Sequence, residues 1–393
     1  MQRSGLHLRL VVPDNVRHNS GGNVYNAALA RELTAQGVEV EICPLDGDWP
    51  GGSPGDRRRL AAVLHDYGTR ADRMHDDGTH DADAHRAGDA DPTRWITVVD
   101  GLLACGAPEE LAAAAAAGRP AWILLHMPLE DPELERRALR EAAGVICTSS
   151  SAAAGLRARH GLDGISVALP GTLPSALANG STPPHLLAVA ALLPNKDQSL
   201  LLDALSLLGG LPWTAALVGS DSADPAYAAQ LREQASRLGL RDRVSIPGEL
   251  RGRALEAEWA SADLSLLISQ AETYGLVVTE SLARGIPVVV RAGTGAVEAL
   301  AAGAPESQTP GTLPRALPDS ALPAALPGTA VALGSDPSVL AGVLRRWLTD
   351  PALRTRWRSA AVSARDRLPG WDNTARAVIE ALHAGPPTGQ AGG

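Results

Sequence analysis

The chain has 393 residues, of which 45% are hydrophobic and 20% charged, so it is long enough for two domains with a core each. Its formal net charge of −9 argues against a nucleic-acid-binding or anionic-membrane-binding protein, because both would carry a surplus of basic residues. We expect a cytoplasmic protein, since there is no apolar run of membrane-spanning length, no secretory signal at the amino terminus, and three isolated cysteines that fit free thiols.

The first half of the sequence alternates short β-branched runs with helical patterns, which predicts a parallel sheet covered by helices. Val, Ile and Leu dominate the short runs, as in strands that are buried on both faces. A helix is expected over residues 23–36, after the first strand and a long loop. The predicted strands are 6–12, 38–43, 95–99, 121–125, 144–148 and 165–169.

A stretch rich in Pro, Gly and Ser, residues 170–185, is interpreted as a linker, and a second series of the same kind follows it. Its predicted strands are 186–192, 213–219, 243–248, 263–269, 287–290 and 329–333. Its predicted helices are 197–208, 226–238, 252–261, 275–284 and 294–302. Two βα arrays of similar size indicate an α/β protein with two Rossmann-like domains, whose ligand binds in the cleft at the carboxyl ends of the strands.

We place the first domain at residues 1–175 and the second at 176–369, with a helix over 370–383 that returns to the first. Residues 70–92 are acidic and contain histidine, and we interpret them as a mobile insertion because the histidine spacing matches no zinc pattern. Prolines throughout 303–328 predict a long loop. Residues 384–393 are predicted to form a disordered tail.

The densest chemical signal is the segment ISQAETYGLVVTESLARGIPVVV. It places Glu272 in the loop after a strand and Glu280 eight positions later, inside a helix that Tyr274 and Gly275 open. Free backbone N–H groups from Tyr274 to Leu276 would suit a phosphate, and the two carboxylates could accept hydrogen bonds from sugar or ribose hydroxyls. The alternative is an ordinary capped helix with a solvated glutamate.

Other polar residues follow predicted strands. Gly21 and Gly22 would let backbone N–H groups approach a diphosphate or an acceptor, unless they form an ordinary strand–helix turn. His126 and Asp100 each end or follow a strand, where polar side chains face a ligand in this architecture, although a lone histidine there is more often structural. Lys196, after another strand, is the only lysine among 35 basic residues.

The spacing Glu-x7-Glu in this setting, followed by GIPVV, resembles the donor-binding signature of family-4 glycosyltransferases, which are retaining enzymes of the GT-B fold. The resemblance continues in order through most of the chain. It includes SGGNVYNAALARELTAQGVEVEI, LLHMPL, GVICTSSS, LLPNKDQSLLLDAL, VSIPGEL, GTGAVEAL and LPGWDNTARAVIEAL.

The resemblance implies transfer of a sugar from a nucleoside-diphosphate sugar, with a UDP-sugar favoured, to a hydroxyl of a small-molecule, lipid or glycan acceptor. It implies no metal, no other cofactor and no nucleic-acid partner. Lys196 would neutralise the diphosphate, Glu272 would hold the transferred sugar, and His126 would face it from the other wall. Glu280 would bind the ribose hydroxyls.

The remaining donor contacts implied by the resemblance are backbone groups. They comprise the diphosphate contacts Tyr274, Gly275 and Leu276, the base contacts Pro247 and Gly248, and the Gly-rich positions Gly21, Gly22 and Gly219.

One departure from the family concerns the diphosphate. Ala191 stands where the family usually has a second cationic contact, an arginine, for which Arg251, Arg253 or Arg17 are the candidate replacements. Two alternatives to a transferase stay open. One is a non-catalytic nucleotide-sugar-binding protein, and the other is a nucleotide-sugar epimerase or hydrolase of the same fold.

Overall fold

The computed structural model describes residues 6–14, 20–65, 95–304 and 326–385. The chain divides into two compact units, the first made of Met1–Leu169 with Trp371–Gly393 and the second of Pro170–Gly370. The expected insertion at 70–92, residues 305–325 of the expected proline-rich loop, and residues 386–393 of the expected tail lie outside the described residues.

Each unit contains a six-stranded sheet, and all strand pairs within it are parallel. The strands of the first unit are β1 (His7–Pro13), β2 (Glu39–Leu45), β3 (Trp95–Asp100), β4 (Trp122–Leu125), β5 (Gly144–Cys147) and β6 (Ser166–Val167). Those of the second are β7 (His185–Val189), β8 (Thr214–Val218), β9 (Val244–Gly248), β10 (Leu264–Leu267), β11 (Val288–Arg291) and β12 (Gly328–Val331). The expected α/β class with two Rossmann-like sheets is confirmed.

Helices cover the sheets. In the part of the chain that precedes β7 they are α1 (Gly21–Ala35), α2 (Pro54–His65), α3 (Gly101–Ala104), α4 (Pro108–Ala116), α5 (Pro132–Glu141) and α6 (Ser150–His160). After β7 they are α7 (Gln198–Ser206), α8 (Pro225–Arg237), α9 (Gly252–Ser261), α10 (Leu276–Ala283), α11 (Ala296–Ala301), α12 (Pro337–Thr349), α13 (Pro351–Ala364) and α14 (Trp371–Ala384). None of the described helices has both the length and the apolar character needed to cross a membrane.

The strand order locates the ligand edge of each sheet. The first sheet has the order β2-β1-β3-β4-β5-β6, and the second has the order β12-β11-β10-β7-β8-β9. In such sheets a ligand binds beyond the carboxyl ends of the two adjacent strands at which the winding direction reverses. Those strands are β1 and β3 in the first unit and β7 and β10 in the second.

The last helix, α14, belongs to the first unit, where it packs against α1. The rings of Tyr25 and Trp371 meet edge to face with centroids 5.4 Å apart, and Gln36 Nε2 donates to Asp372 O over 2.9 Å. The helix extends to Ala384, one residue into the segment expected to be a disordered tail.

The segment expected as a linker is attached to the second unit. Ala178 N donates to Arg284 O over 3.0 Å, and Asn179 N donates to Ala260 O over 2.8 Å. The second unit begins at Pro170, six residues before the start at residue 176 that the sequence predicts for the second domain. Both acceptors belong to that unit, since Arg284 follows α10 and Ala260 lies in α9.

Candidate functional site

A lysine and a glutamate come together beyond β7 and β10, at the reversal point of the second sheet. Lys196 ends a short 3-10 turn after β7, and Glu272 lies in the loop after β10. Lys196 Nζ donates to Glu272 Oε1 over 2.6 Å, with side chains 22% and 14% exposed. Gln270 N also donates to Asn195 O over 2.8 Å, so the backbone joins the same two loops.

The loop after β11 holds the Glu272 backbone. Gly295 N donates to Glu272 O over 2.7 Å. A Cβ on Gly295 would lie 1.7 Å from Thr273 O, so a residue with a side chain does not fit this approach without moving one of the loops. Glu272 is therefore fixed through its backbone as well as through its carboxylate.

The first turn of α10 is open to an anion. Gly275 precedes the helix with a φ of 90°, and this end of α10 has no side-chain cap among the described residues. The first backbone N–H groups of a helix lack intrahelical partners and favour negative charge. Tyr274 contributes only its backbone here, because its side chain is buried and burial raises the pKa of its hydroxyl.

Glu280 offers an unpaired carboxylate one turn further along α10. It is half-buried, and burial raises its pKa above the ordinary value, while Arg284 lowers the pKa and Glu256 raises it. Among the described residues no hydrogen-bond donor to this carboxylate is found. A half-buried carboxylate without a protein donor is suited to accept hydrogen bonds from ligand hydroxyls.

The expected base contacts lie on the same edge of the sheet. Pro247 and Gly248 are the last residues of β9, and Gly219 directly follows β8. Gly219 N donates to Gly248 O over 3.0 Å. These residues therefore lie at the ends of two neighbouring strands and not in a separate Gly-rich loop.

The three candidate replacements for the second cation differ in their surroundings. Arg251 is exposed and donates from Nε to Glu249 Oε1 over 2.9 Å, and Arg253 is exposed on α9. Arg17 lies outside the described residues. The O atom of Ala191 itself accepts a hydrogen bond from Gln198 Nε2 over 2.9 Å.

A second polar cluster lies beyond the strand ends of the first unit. Asp100 ends β3, His126 follows β4, and Asn26 projects from α1. Asn26 Nδ2 donates to Asp100 Oδ2 over 2.7 Å, and His126 Nε2 lies 2.9 Å from Asn26 Oδ1 and 3.2 Å from Asp100 Oδ2. The position of Asp100 at a strand end predicts a side chain that faces a ligand, but the structure shows Asp100 buried.

This network defines the proton positions around His126. A carboxylate only accepts, so the Asn26 amide nitrogen faces Asp100 and its oxygen faces the ring. His126 Nε2 must then carry a proton. Burial alone would raise the pKa of Asp100, but the charge of His126 and the hydrogen bonds from His126, Leu102 N and Asn26 bring it below the ordinary value.

Gly21 and Gly22 correct one expectation. They were expected in the turn before a helix starting near Asn23, but they are the first two residues of α1. Ser20 caps this helix by accepting a hydrogen bond from Asn23 N over 3.2 Å. A Cβ on Gly22 would lie 3.4 Å from the His126 ring, so the ring packs directly over the first turn of the helix.

Sequence reasoning missed Asn26, which joins the cluster of the first unit, and also Asp197 and Arg291, whose side chains pair next to Lys196. Asn26 is a buried polar residue in the helix after the first loop, and Arg291 is a charged residue that ends a run of valines. Each of these polar residues interrupts an apolar pattern in the sequence, which is a signal that could have identified it.

Among the described residues there is no group of three or more His, Cys, Asp or Glu side chains that could hold a metal ion.

A family comparison matches the second unit. Residues 172–363 match the model of the family "Glycosyl transferases group 1". The chain is 33% identical to mannosylfructose-phosphate synthase of Agrobacterium fabrum over 124 residues, which are 30% of this chain and 27% of that protein. It is 29% identical to D-inositol 3-phosphate glycosyltransferase of Xylanimonas cellulosilytica over 164 residues, 42% of this chain and 34% of that protein. The matches thus span about a third or less of these relatives.

Solved structures match over nearly the whole chain. Sucrose-phosphate synthase from Thermosynechococcus elongatus has a TM-score of 0.67 at 18% identity, covering 96% of this chain and 98% of that one. The Anabaena protein HepE in complex with UDP has a TM-score of 0.65 at 18% identity, covering 96% of this chain and 100% of that one. These solved structures show that the chain has the GT-B fold, and residues 172–363 match a glycosyltransferase family model.

Proposed function

We propose that this chain is a retaining, metal-independent glycosyltransferase that moves a sugar from a nucleoside-diphosphate sugar, with a UDP-sugar favoured, to an acceptor hydroxyl. The contact that carries the proposal is the Lys196–Glu272 pair at the reversal point of the second sheet, 2.6 Å from Nζ to Oε1. It lies inside the segment that matches the glycosyltransferase family model. Solved HepE complexes contain UDP or UDP-glucose, which supports the choice of donor class.

The pair supplies the two kinds of partner that a nucleotide sugar needs. A diphosphate requires positive charge, which the Lys196 ammonium and the open first turn of α10 provide. Sugar hydroxyls require an acceptor, which the Glu272 carboxylate provides. Without a donor the two side chains satisfy each other, so neither charge is left unpaired.

The nucleoside would be held by the residues around the pair. Glu280 would accept hydrogen bonds from the ribose hydroxyls, because its carboxylate has no donor among the described residues. Backbone groups at Pro247 and Gly248 would contact the base, with Gly219 beside them at the end of β8. In the first unit, Asn26 and Asp100 fix the Nε2 proton of His126.

The chemical step balances without a dedicated general base. The acceptor oxygen bonds to the anomeric carbon while the bond from that carbon to the phosphate oxygen breaks. The acceptor proton passes to the leaving phosphate oxygen on the same face of the sugar, which retains the anomeric configuration. Lys196 and the α10 amides stabilise the charge that develops on the diphosphate, a role filled in many other transferases by a metal ion.

Nucleotide binding is the first test. The purified chain is heated with UDP, GDP, ADP and their sugars, with and without EDTA. A ligand at about 100 times its dissociation constant adds about 2.7 kcal/mol of stability. Stabilisation by one nucleoside diphosphate despite EDTA supports the donor site.

Transfer is the second test. Release of nucleoside diphosphate is followed with an acceptor panel, and the anomeric configuration of the product is read by NMR. We expect loss of transfer in Lys196→Ala and Glu272→Ala. Normal transfer by both variants contradicts the proposal, and an inverted product contradicts the retaining mechanism.

A non-catalytic nucleotide-sugar-binding protein is the second candidate. The observation that favours it is Ala191, which replaces the second cation expected at the diphosphate. Such a protein would be stabilised by a nucleotide sugar yet release no nucleoside diphosphate with any acceptor. The two tests above separate it from a transferase.

A further inference from the structure

Arg291 is a buried arginine that connects the loops around the proposed donor site without belonging to it. It is the last residue of β11 and is 9% exposed. Its Nε donates to Ile268 O, just after β10, over 2.8 Å, and its Nη1 donates to Leu333 O, after β12, over 2.6 Å. Its Nη2 pairs with the carboxylate of Asp197, beyond β7.

Asp197 is the residue that directly follows Lys196. Its φ of 58° makes it the one non-glycine residue with a positive φ in the part of the chain that the structure describes. Aspartate reaches this left-handed conformation more easily than most residues, but it still needs support from its surroundings. The backbone conformation of Asp197 therefore sets the orientation of the turn Pro194–Lys196 relative to α7, which follows it.

The carboxylate of Asp197 does not cap the helix that follows it. Asp197 stands at the N-cap of α7, where an aspartate side chain ordinarily accepts a hydrogen bond from the first turn of the helix. Here the cap has no side-chain hydrogen bond, and the carboxylate pairs with Arg291. Ser199 N, in that first turn, donates to Tyr227 Oη over 3.3 Å.

We propose that Arg291, acting through Asp197, is a positioning residue that holds the turn of Lys196 so that the ammonium is in place before the donor binds. The planar guanidinium suits this role because its donors have fixed directions and reach three loops at once. A lysine that is already ordered loses less conformational freedom when a diphosphate arrives. The position of Lys196 matters more here because Ala191 replaces the second expected cation.

This inference rests on the proposed function for what Lys196 binds, but not for where Lys196 is held. The second point can be measured without a nucleotide, because Lys196 is the only lysine in the chain. An amine-acylating reagent such as the N-hydroxysuccinimide ester of acetate therefore modifies one side chain. Peptide mass spectrometry separates this product from acylation of the amino terminus.

The informative variant is Asp197→Asn. Asparagine adopts the left-handed conformation at least as readily as aspartate, so this change removes the ion pair and keeps the backbone preference. We expect acylation of Lys196 to become about fivefold faster, because local opening of the turn releases the ammonium from Glu272. The matched control is Asp203→Asn on the same helix, which removes a carboxylate that accepts from Gln234 Nε2 and should leave the rate unchanged.

A binding cycle then tests the link to the donor. We expect Asp197→Asn to weaken UDP binding about tenfold in the native background but by less than about twofold when Lys196 is already alanine, because both changes act on one ammonium. Equal losses in both backgrounds would show that the ion pair only stabilises the fold, and this would overturn the proposal. An Asp197→Asn chain with native acylation and native UDP affinity also overturns it.

Failure of the proposed function looks different. In that case the native chain binds no nucleoside diphosphate, while faster acylation of Lys196 in Asp197→Asn still supports the positioning role. An unchanged acylation rate in a chain that binds UDP through Lys196 overturns only the positioning role.

Discussion

Replacing Lys196 by alanine should weaken UDP binding more than any other single change in the second unit. The substitution removes the only lysine and leaves the Glu272 carboxylate, 14% exposed, facing the diphosphate without its partner. Two effects therefore add. The attraction between the ammonium and the phosphate charge is lost, and a repulsion between two anions appears.

The size of the effect follows from the distances. Two unit charges about 4 Å apart interact by about 4 kcal/mol at the effective dielectric constant of about 20 found near a protein surface. The partial exposure of Lys196, 22%, reduces this figure, so about 2–4 kcal/mol remains. That range corresponds to a loss of UDP affinity of about 30- to 1000-fold.

The repulsion has its own signature. UDP has no transferred sugar, so Glu272 contributes nothing to its binding except as a competitor for the ammonium. We therefore expect the double variant Lys196→Ala, Glu272→Ala to bind UDP more tightly than Lys196→Ala alone. Glu272→Ala alone should bind UDP at least as tightly as the native chain, because the competitor for the ammonium is gone, and should lose the extra affinity for the UDP-sugar.

The assay is isothermal titration calorimetry at low salt and with EDTA. Arg345→Ala is the matched control, because it removes an exposed cation of the same unit whose Nη2 donates only to Leu207 O in the described structure, over 2.6 Å. This variant should bind UDP like the native chain. A Lys196→Ala chain with UDP affinity within about threefold of native would refute the reasoning.

Three other changes give distinct readouts. We expect the native chain to prefer UDP over its 2′- and 3′-deoxy forms by about 10- to 150-fold in a competition assay, because a hydrogen bond to a carboxylate contributes about 1.5–3 kcal/mol. Glu280→Ala should abolish this preference. An equal preference in variant and native would contradict the ribose contact. Asp100→Asn should lower the melting temperature of the chain at neutral pH. The difference in melting temperature between variant and native should become smaller below about pH 4. The reason is that a carboxyl with a lowered pKa stabilises the fold at pH values above its pKa in the unfolded chain, and this stabilisation is lost as the pH falls through its pKa in the folded chain. Gly295→Ala should weaken UDP-sugar binding more than UDP binding in calorimetry, because the added Cβ would lie 1.7 Å from Thr273 O and must displace the loop of Glu272.

The sequence was sufficient for the sheets. All twelve strands of the described chain overlap runs of Val, Ile, Leu and Ala that the sequence marked, because a strand buried on both faces needs a continuous apolar run whatever its neighbours. Helix ends were less well defined. The sequence predicts Gly21 and Gly22 in the turn before the helix, yet Ser20 caps α1 and both lie in its first turn.

For the candidate site too, the sequence was sufficient for part of the prediction and not for the rest. Lys196, Glu272 and Glu280 were selected from local patterns, namely a residue directly after a strand, a single lysine, and an eight-residue spacing. The roles assigned to them remain predictions. Their surroundings were not available to local reasoning, because Lys196 and Glu272 are 76 residues apart and meet only where β7 and β10 pair.

The sequence by itself determined which segments are strands and which polar residues end them, because apolar periodicity and strand-end chemistry are local properties. Only the tertiary structure decided which strand ends are neighbours. The pairing of Arg291 with Asp197, 94 residues away, and the assembly of Asn26, Asp100 and His126 both depend on the strand order of the sheets. Strand order is set by packing of the whole chain, and no short stretch of residues records it.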